Sequence, residues 1–242
     1  FILICLISSL STIISLLLKE PQLIFNIQTN TMLEIKNITY QPQTSNKKVL
    51  ENINLKVKEK EIILISGNSG SGKTSLLEII GGLISEQKGN IFWENHKTTP
   101  RQRRWLCGIV FQFPERFFIG STIRKELKIG HKSIRHDKIE NVLKQVGLSK
   151  INLSMPPENL SGGQQRRLAV AVQLLRNPKI ILMDEPTAGL DWSMKNEVKE
   201  LINRLRIKNT IIIITHEVEL FNKLPIKTFM LKKGKIISLE KN

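Results

Sequence analysis

From residue 32 onward the chain alternates short apolar, β-branched runs with stretches whose apolar positions recur at helical spacing. Residues 33–39 and 49–57 predict two strands joined by the polar loop 41–48, and residues 61–66 form a continuous apolar strand. A helix is predicted over 74–83, ended by the Gly81-Gly82 pair, with further strands at 90–94 and 106–111. Between residues 113 and 160 the strand signal disappears and charged helical patterns such as 139–146 replace it, which predicts a helical insertion. Beyond it the pattern predicts a helix over 164–175, a buried strand over 180–183 and a helix over 195–205. A buried strand at 211–214 and a closing hairpin from 228–231 and 235–239 complete the series. Such alternation is the mark of an α/β fold, a mainly parallel sheet covered by helices. No internal repeat or low-complexity linker interrupts it.

Residues 1–31 stand apart. The first 18 carry no charge and are mostly Ile, Leu, Ser and Thr, a run just long enough to span a bilayer. The chain does not begin with Met, and no basic residue precedes the run as a signal peptide would require. A plausible domain start comes at Met32. Three explanations of the segment stay open: a membrane anchor, the remains of a targeting sequence, or upstream codons translated. No function is assigned to it.

Composition narrows the picture a little. The 242 residues, 40% hydrophobic, suffice for one α/β domain with a sizeable core. The formal charge of +16 fits nucleic acid, an anionic membrane surface or polyphosphate. It equally fits a biased composition, since Lys, Ile and Asn are abundant throughout, so charge alone decides nothing. Cys5 and Cys107 lie far apart and form no metal-ligand spacing, which points to a reducing compartment and no structural zinc.

Candidate chemistry is more specific. Gly67-Asn68-Ser69-Gly70-Ser71-Gly72-Lys73-Thr74 fits GxxxxGK[ST] between a predicted strand and a predicted helix. The glycines let backbone N–H groups converge on phosphate oxygens, and the helix N-terminus adds a positive dipole end. Lys73 would reach the β- and γ-phosphates, and the Thr74 hydroxyl would ligate Mg²⁺. By itself this loop does not separate kinases, GTPases and ATPases. Asp184 and Glu185 end the predicted strand 180–183, where α/β sheets bind ligands. Asp184 would hold Mg²⁺ and Glu185 would polarise the attacking water as a general base. Ser161, Gly162, Gly163 and Gln164 open a predicted helix and supply a second set of donors suited to anionic oxygen.

These residues together resemble the ATP-binding-cassette (ABC) family from about Met32 to the C-terminus. Leu160-Ser161-Gly162-Gly163-Gln164 reads as the family's unaltered signature. Gln112 matches its Q-loop glutamine, Ala188-Gly189-Leu190-Asp191 its D-loop, and His216 its switch histidine. The resemblance implies a RecA-like, mainly parallel sheet with an antiparallel β subdomain and a helical subdomain at about 113–160. It further implies a head-to-tail dimer, homo- or heteromeric, with two ATP molecules between the subunits. Ser161 and Gly163 of one subunit would then touch the γ-phosphate held by Lys73 of the other. Gln112 would serve Mg²⁺ and catalysis, His216 would contact the γ-phosphate, and Asp191 would complete the nucleotide site.

The run Phe111-Gln112-Phe113-Pro114-Glu115 looks like the Q-loop of energy-coupling-factor ATPases, which import cobalt and vitamins. Gly189-Leu190-Asp191-Trp192 and Phe113-Pro114-Glu115-Arg116 look most like plastid members of that group. This implies an ATPase peripheral to the cytoplasmic or stromal face of a membrane, working with integral membrane transport subunits. The competing readings are a cassette acting on nucleic acid or ribosomes, and one serving iron–sulfur assembly. Only one phosphate loop is present, and residues 112–160 are too few for a long coiled coil, so a nucleic-acid partner is not expected. The aromatic that stacks on adenine in the family is expected near Pro42. Tyr40 falls on the predicted strand and is open to reading as packing residue or adenine platform.

Overall fold

The computed structural model describes residues 31–239. The apolar run at the start of the chain lies outside these residues, and so does the choice among its three explanations. Among the described residues no helix is long and apolar enough to cross a membrane.

Two sheets organise the chain. The first is antiparallel and contains β1 (Thr31–Tyr40), β2 (Leu50–Lys58), β4 (Lys88–Trp93) and β5 (His96–Lys97), in the order β2-β1-β4-β5. The second contains β3 (Ile62–Ser66), β6 (Cys107–Val110), β7 (Ile180–Asp184), β8 (Thr210–Ile214), β9 (Ile226–Lys232) and β10 (Lys235–Leu239). Its order is β10-β9-β3-β8-β7-β6, parallel except for the β9–β10 hairpin. This is the α/β architecture expected, with its antiparallel partner sheet.

Strands β3, β7 and β8 are buried at every position. A parallel sheet covered on both faces requires this, which is why these strands read as unbroken apolar runs rather than alternating ones. The pleat then divides their side chains. Ile62, Leu64, Ile181, Met183, Ile211 and Ile213 enter one core with the helices, while Ile63, Ile65, Ile180, Leu182, Ile212 and Ile214 enter the other. That second core is closed by the antiparallel sheet through Leu33, Ile35, Leu55 and Val57, and it also takes Leu76, Leu77, Ile79 and Ile80 from the helix after the glycine-rich loop.

The helices follow their caps. Helix α1 (Lys73–Ile80) begins after Gly72, whose φ of 99° opens the first turn, and ends at Gly81. Helices α3 (Ile123–Lys128) and α4 (His136–Gln145) form the helical insertion and bury Ile123, Leu127, Ile139, Val142 and Leu143. Helix α5 (Gly162–Leu175) starts at a capping box in which Ser161 and Gln164 bond reciprocally. Helix α6 (Trp192–Leu205) starts three residues before the expected Lys195, because the Asp191 carboxylate accepts the Met194 N–H at 2.9 Å.

One helix was not expected. Helix α2 (Pro100–Leu106) carries three arginines, yet Thr99 and Gln102 form a capping box and Pro100 occupies the first turn. Its Arg103 is 1% exposed. The guanidinium donates to Ile79 O at 3.1 Å, to Thr98 O at 3.1 Å and to both Glu86 oxygens at 2.5 and 3.3 Å. Burial of a full charge is tolerable here because every face of the fork is paired.

Candidate functional site

Four neighbouring parallel strands, β3, β8, β7 and β6, end on the same edge of the sheet, and each delivers one functional segment there. The glycine-rich loop follows β3, Gln112 follows β6, Asp184 and Glu185 close β7, and His216 follows β8. The crevice beyond the C-terminal strand ends is the general ligand position in such sheets.

Gly67, Asn68, Ser69, Gly70, Gly72, Lys73, Thr74, Gln112, Asp184, Glu185 and His216 line a single cleft of about 830 Å³. Ser71 lines an adjoining cavity of about 660 Å³ that shares Gly67 to Gly70 and His216. Two of the loop's glycines are dictated by close approach. A Cβ on Gly72 would lie 2.8 Å from Val49 Cγ1, and one on Gly67 only 2.3 Å from Leu231 O. Lys73, 9% exposed, curls back so that Nζ donates to Gly67 O at 2.8 Å and Asn68 O at 3.0 Å. The ammonium thus sits inside the curve of its own loop, where it can meet an anionic oxygen.

The Thr74 hydroxyl donates to Asp184 Oδ2 at 2.9 Å. Burial pushes the Asp184 carboxyl above its ordinary value, the Thr74 hydrogen bond opposes this, the Glu185 charge adds to it and Lys73 opposes it. Glu78 on α1 is likewise raised, by burial first and then by the Asp184 charge. The smaller mutual effects of Glu185 on Asp184 and of Asp184 on Glu78 mark three carboxylates close together, an arrangement that favours a cation. Two hard oxygen donors in contact and a Gln112 amide in the same cleft suit Mg²⁺, which leaves its other positions to water and phosphate. Among the described residues no group of three or more His, Cys, Asp or Glu could hold a metal ion.

Glu185 is 9% exposed and adopts φ 44°, the left-handed region that non-glycine residues rarely enter. His216 engages it twice. The imidazole Nδ1 lies 3.0 Å from Glu185 Oε2, and the His216 backbone N–H donates to the same oxygen at 3.3 Å.

The second donor set stays out of the cleft. Ser161, Gly162, Gly163, Gln164 and Asp191 line neither cavity. They lie together elsewhere. A Cβ on Gly162 would meet Leu190 Cδ2 at 3.3 Å, and one on Gly163 would meet Met194 Cγ at 3.5 Å. Tyr40 ends β1, is partly buried and packs on the apolar cluster beneath the antiparallel sheet. It does not line the cleft, whereas Val49 does.

Val49 and the trio Thr187, Lys195 and Glu217 were not singled out from the sequence. Glu217 accepts from Thr187 Oγ1 at 2.5 Å and from Lys195 Nζ, joining the loop after β8 to the turn after Glu185 and to α6. Burial alone would raise its carboxyl, but the hydrogen bonds from Lys195 and Thr187 hold it below its ordinary value. Its position directly after His216 was the available signal.

Comparison with known proteins agrees with this geometry. The ABC transporter family profile matches residues 50–188. "ABC transporter I family member 11, chloroplastic" of Arabidopsis thaliana is 31% identical over 225 residues, 86% of this chain and 81% of the relative. The energy-coupling factor transporter ATP-binding protein EcfA2 of Acetivibrio thermocellus is 34% identical over 201 residues, covering 78% and 72%. Among solved structures, cbiO1 from Clostridium perfringens, described as part of the ABC transporter complex cbiONQ, superposes with a TM-score of 0.79. It is 28% identical, with 86% of this chain and 87% of that one covered. A dimeric ATP-binding cassette in a post-hydrolysis state with ADP and Pi gives a TM-score of 0.73 at 28% identity, covering 87% and 100%. The chain belongs to the ABC transporter family, as an ATP-binding and ATP-hydrolysing subunit of the energy-coupling-factor and cbiO type.

Proposed function

We propose that this subunit powers import of a small solute, such as a transition-metal ion or a vitamin, as half of a head-to-tail ATPase dimer. The observation that carries the reading is the separation of the two donor sets. Lys73, Thr74, Gln112, Asp184, Glu185 and His216 share one cleft, while Ser161 to Gln164 and Asp191 lie outside it. A second subunit, identical or related, brings its Ser161-Gly162-Gly163 set to this cleft and completes it.

In this reading the loop Gly67 to Thr74 cradles the triphosphate with its N–H groups, and Lys73 neutralises the β- and γ-phosphates. Thr74, Asp184 and Gln112 hold Mg²⁺, which when bound offsets charge on the phosphate oxygens. Glu185 takes the proton of the attacking water, and His216, already bonded to Glu185, fixes its direction and contacts the γ-phosphate. Val49 offers the base an apolar wall without an aromatic ring.

Coupling to integral membrane transport subunits is assigned to the segment after Gln112. There the Phe117 ring lies 5.0 Å from that of Phe111 and lines a cavity of about 130 Å³, and Phe117 and Ile119 are 57% and 79% exposed. The protein works at the cytoplasmic face of a membrane, and the chloroplastic relative supports the stromal face of a plastid membrane. The test is Glu185→Gln. This variant is expected to bind ATP, dimerise on binding and turn over at least about 10²-fold more slowly. Turnover at the wild-type rate would remove Glu185 from the role of base.

A further inference from the structure

Arg166 lies in the second turn of α5 and is 5% exposed. Its guanidinium meets backbone rather than a carboxylate. Nη1 donates to Gln112 O at 2.7 Å and to Glu185 O at 3.3 Å, and Nη2 donates to Ala188 O. The three carbonyls come from two separate pieces of chain: Gln112, two residues beyond β6, and the turn from Glu185 to Ala188 that follows β7 and leads to Asp191. Each piece carries a side chain given a role above.

Burial pushes the Arg166 pKa down, opposed by the negative charge of Glu115. A guanidinium in such a place is costly, and an apolar side chain of similar length would leave three carbonyls without their donor. What only the fork supplies is geometry, because its planar donors fix several acceptors at once. One of those acceptors belongs to Glu185, whose backbone is left-handed at φ 44°. Its N–H donates to Ile214 O at 2.8 Å, and its carbonyl also accepts the Ala188 N–H at 3.1 Å. Arg166 also stands five residues along the same rigid helix from Ser161, roughly 7.5 Å of rise. Any tilt of the Ser161-Gly163 end of α5 therefore moves the donor that holds Gln112, Glu185 and Ala188.

We infer that Arg166 is a positioning residue that links seating of α5 to the hydrolytic geometry, so that Glu185 is aligned only when the signature end of its own subunit is in place. This rests on the ATP-hydrolysis reading above. The test compares kcat, KM and fluorescent-ATP affinity of the wild-type chain, Arg166→Lys and Arg166→Met, with thermal melts to establish folding. Lysine keeps the charge but offers a point donor, and it is expected to lose about tenfold in kcat with KM within about twofold. Methionine keeps length without donors and is expected to lose about 10²-fold, again with ATP affinity nearly unchanged. Wild-type kcat in either folded variant, or a loss expressed mainly in KM and affinity, would overturn the inference. So would failure of both to fold, which would make the guanidinium a structural strut. A wild-type chain without turnover would instead sink the hydrolytic reading itself, and this inference with it.

Discussion

His216 and Glu185 are bonded through two different groups of the histidine, with Nδ1 3.0 Å and the backbone N–H 3.3 Å from the same carboxylate oxygen. The end of β8 thereby fixes the direction of a side chain that starts from β7. Because the imidazole is 64% exposed, its bond to Glu185 is made at the open mouth of the site, where a phosphate can compete for it.

From this, His216→Ala is expected to lower kcat by about 10²-fold while ATP affinity changes only a few-fold, since Lys73 and the loop remain. Steady-state ATPase assays alongside equilibrium nucleotide binding separate the two. Equal losses in both would place His216 in ground-state binding rather than in the alignment of Glu185.

Much of this arrangement was legible in the residues, and the part that was not has a common cause. The unbroken apolar runs of β3, β7 and β8 read directly as buried parallel strands, and their C-terminal neighbours Gly67, Asp184 and His216 follow from that register. Helix α2 was missed because Arg101, Arg103 and Arg104 give it no apolar stripe, and Arg103 is held by polar bonds instead. Its only local signals were Pro100 and the Thr99–Gln102 box. Arg166 was missed for a related reason. Its three acceptors come from Gln112, Glu185 and Ala188, so its role exists only after β6, β7 and α5 have packed. The contact of Tyr40 with the cluster beneath the antiparallel sheet is likewise a matter of packing that the strand pattern does not display.

Removing Arg103 should damage stability rather than chemistry. Arg103→Ala leaves Glu86, Ile79 O and Thr98 O without their donor, and breaking such a buried pair costs about 3–5 kcal/mol. Urea denaturation should show a lower midpoint at similar slope. An unchanged midpoint would mean that these acceptors find other partners.

Cys107 is 3% exposed, and burial pushes its thiol up to about 12, opposed by nearby Arg103 and Arg176. In a Cys5→Ser background, which leaves one thiol, labelling by a maleimide at pH 8 should be slow in the folded protein and fast in denaturant. Prompt labelling without denaturant would show that the sheet edge at β6 opens readily.

The claim that matters most is that one hydrolytic site is built from two subunits. Lys73→Ala and Ser161→Arg each disable one half of that site, and neither alone should hydrolyse ATP. Mixed in equal amounts, they should recover about a quarter of wild-type turnover, because half of the dimers are mixed and each carries one complete site. Measured ATPase activity near that level would support sharing between subunits. No recovery, with mixed dimers demonstrably formed, would contradict it.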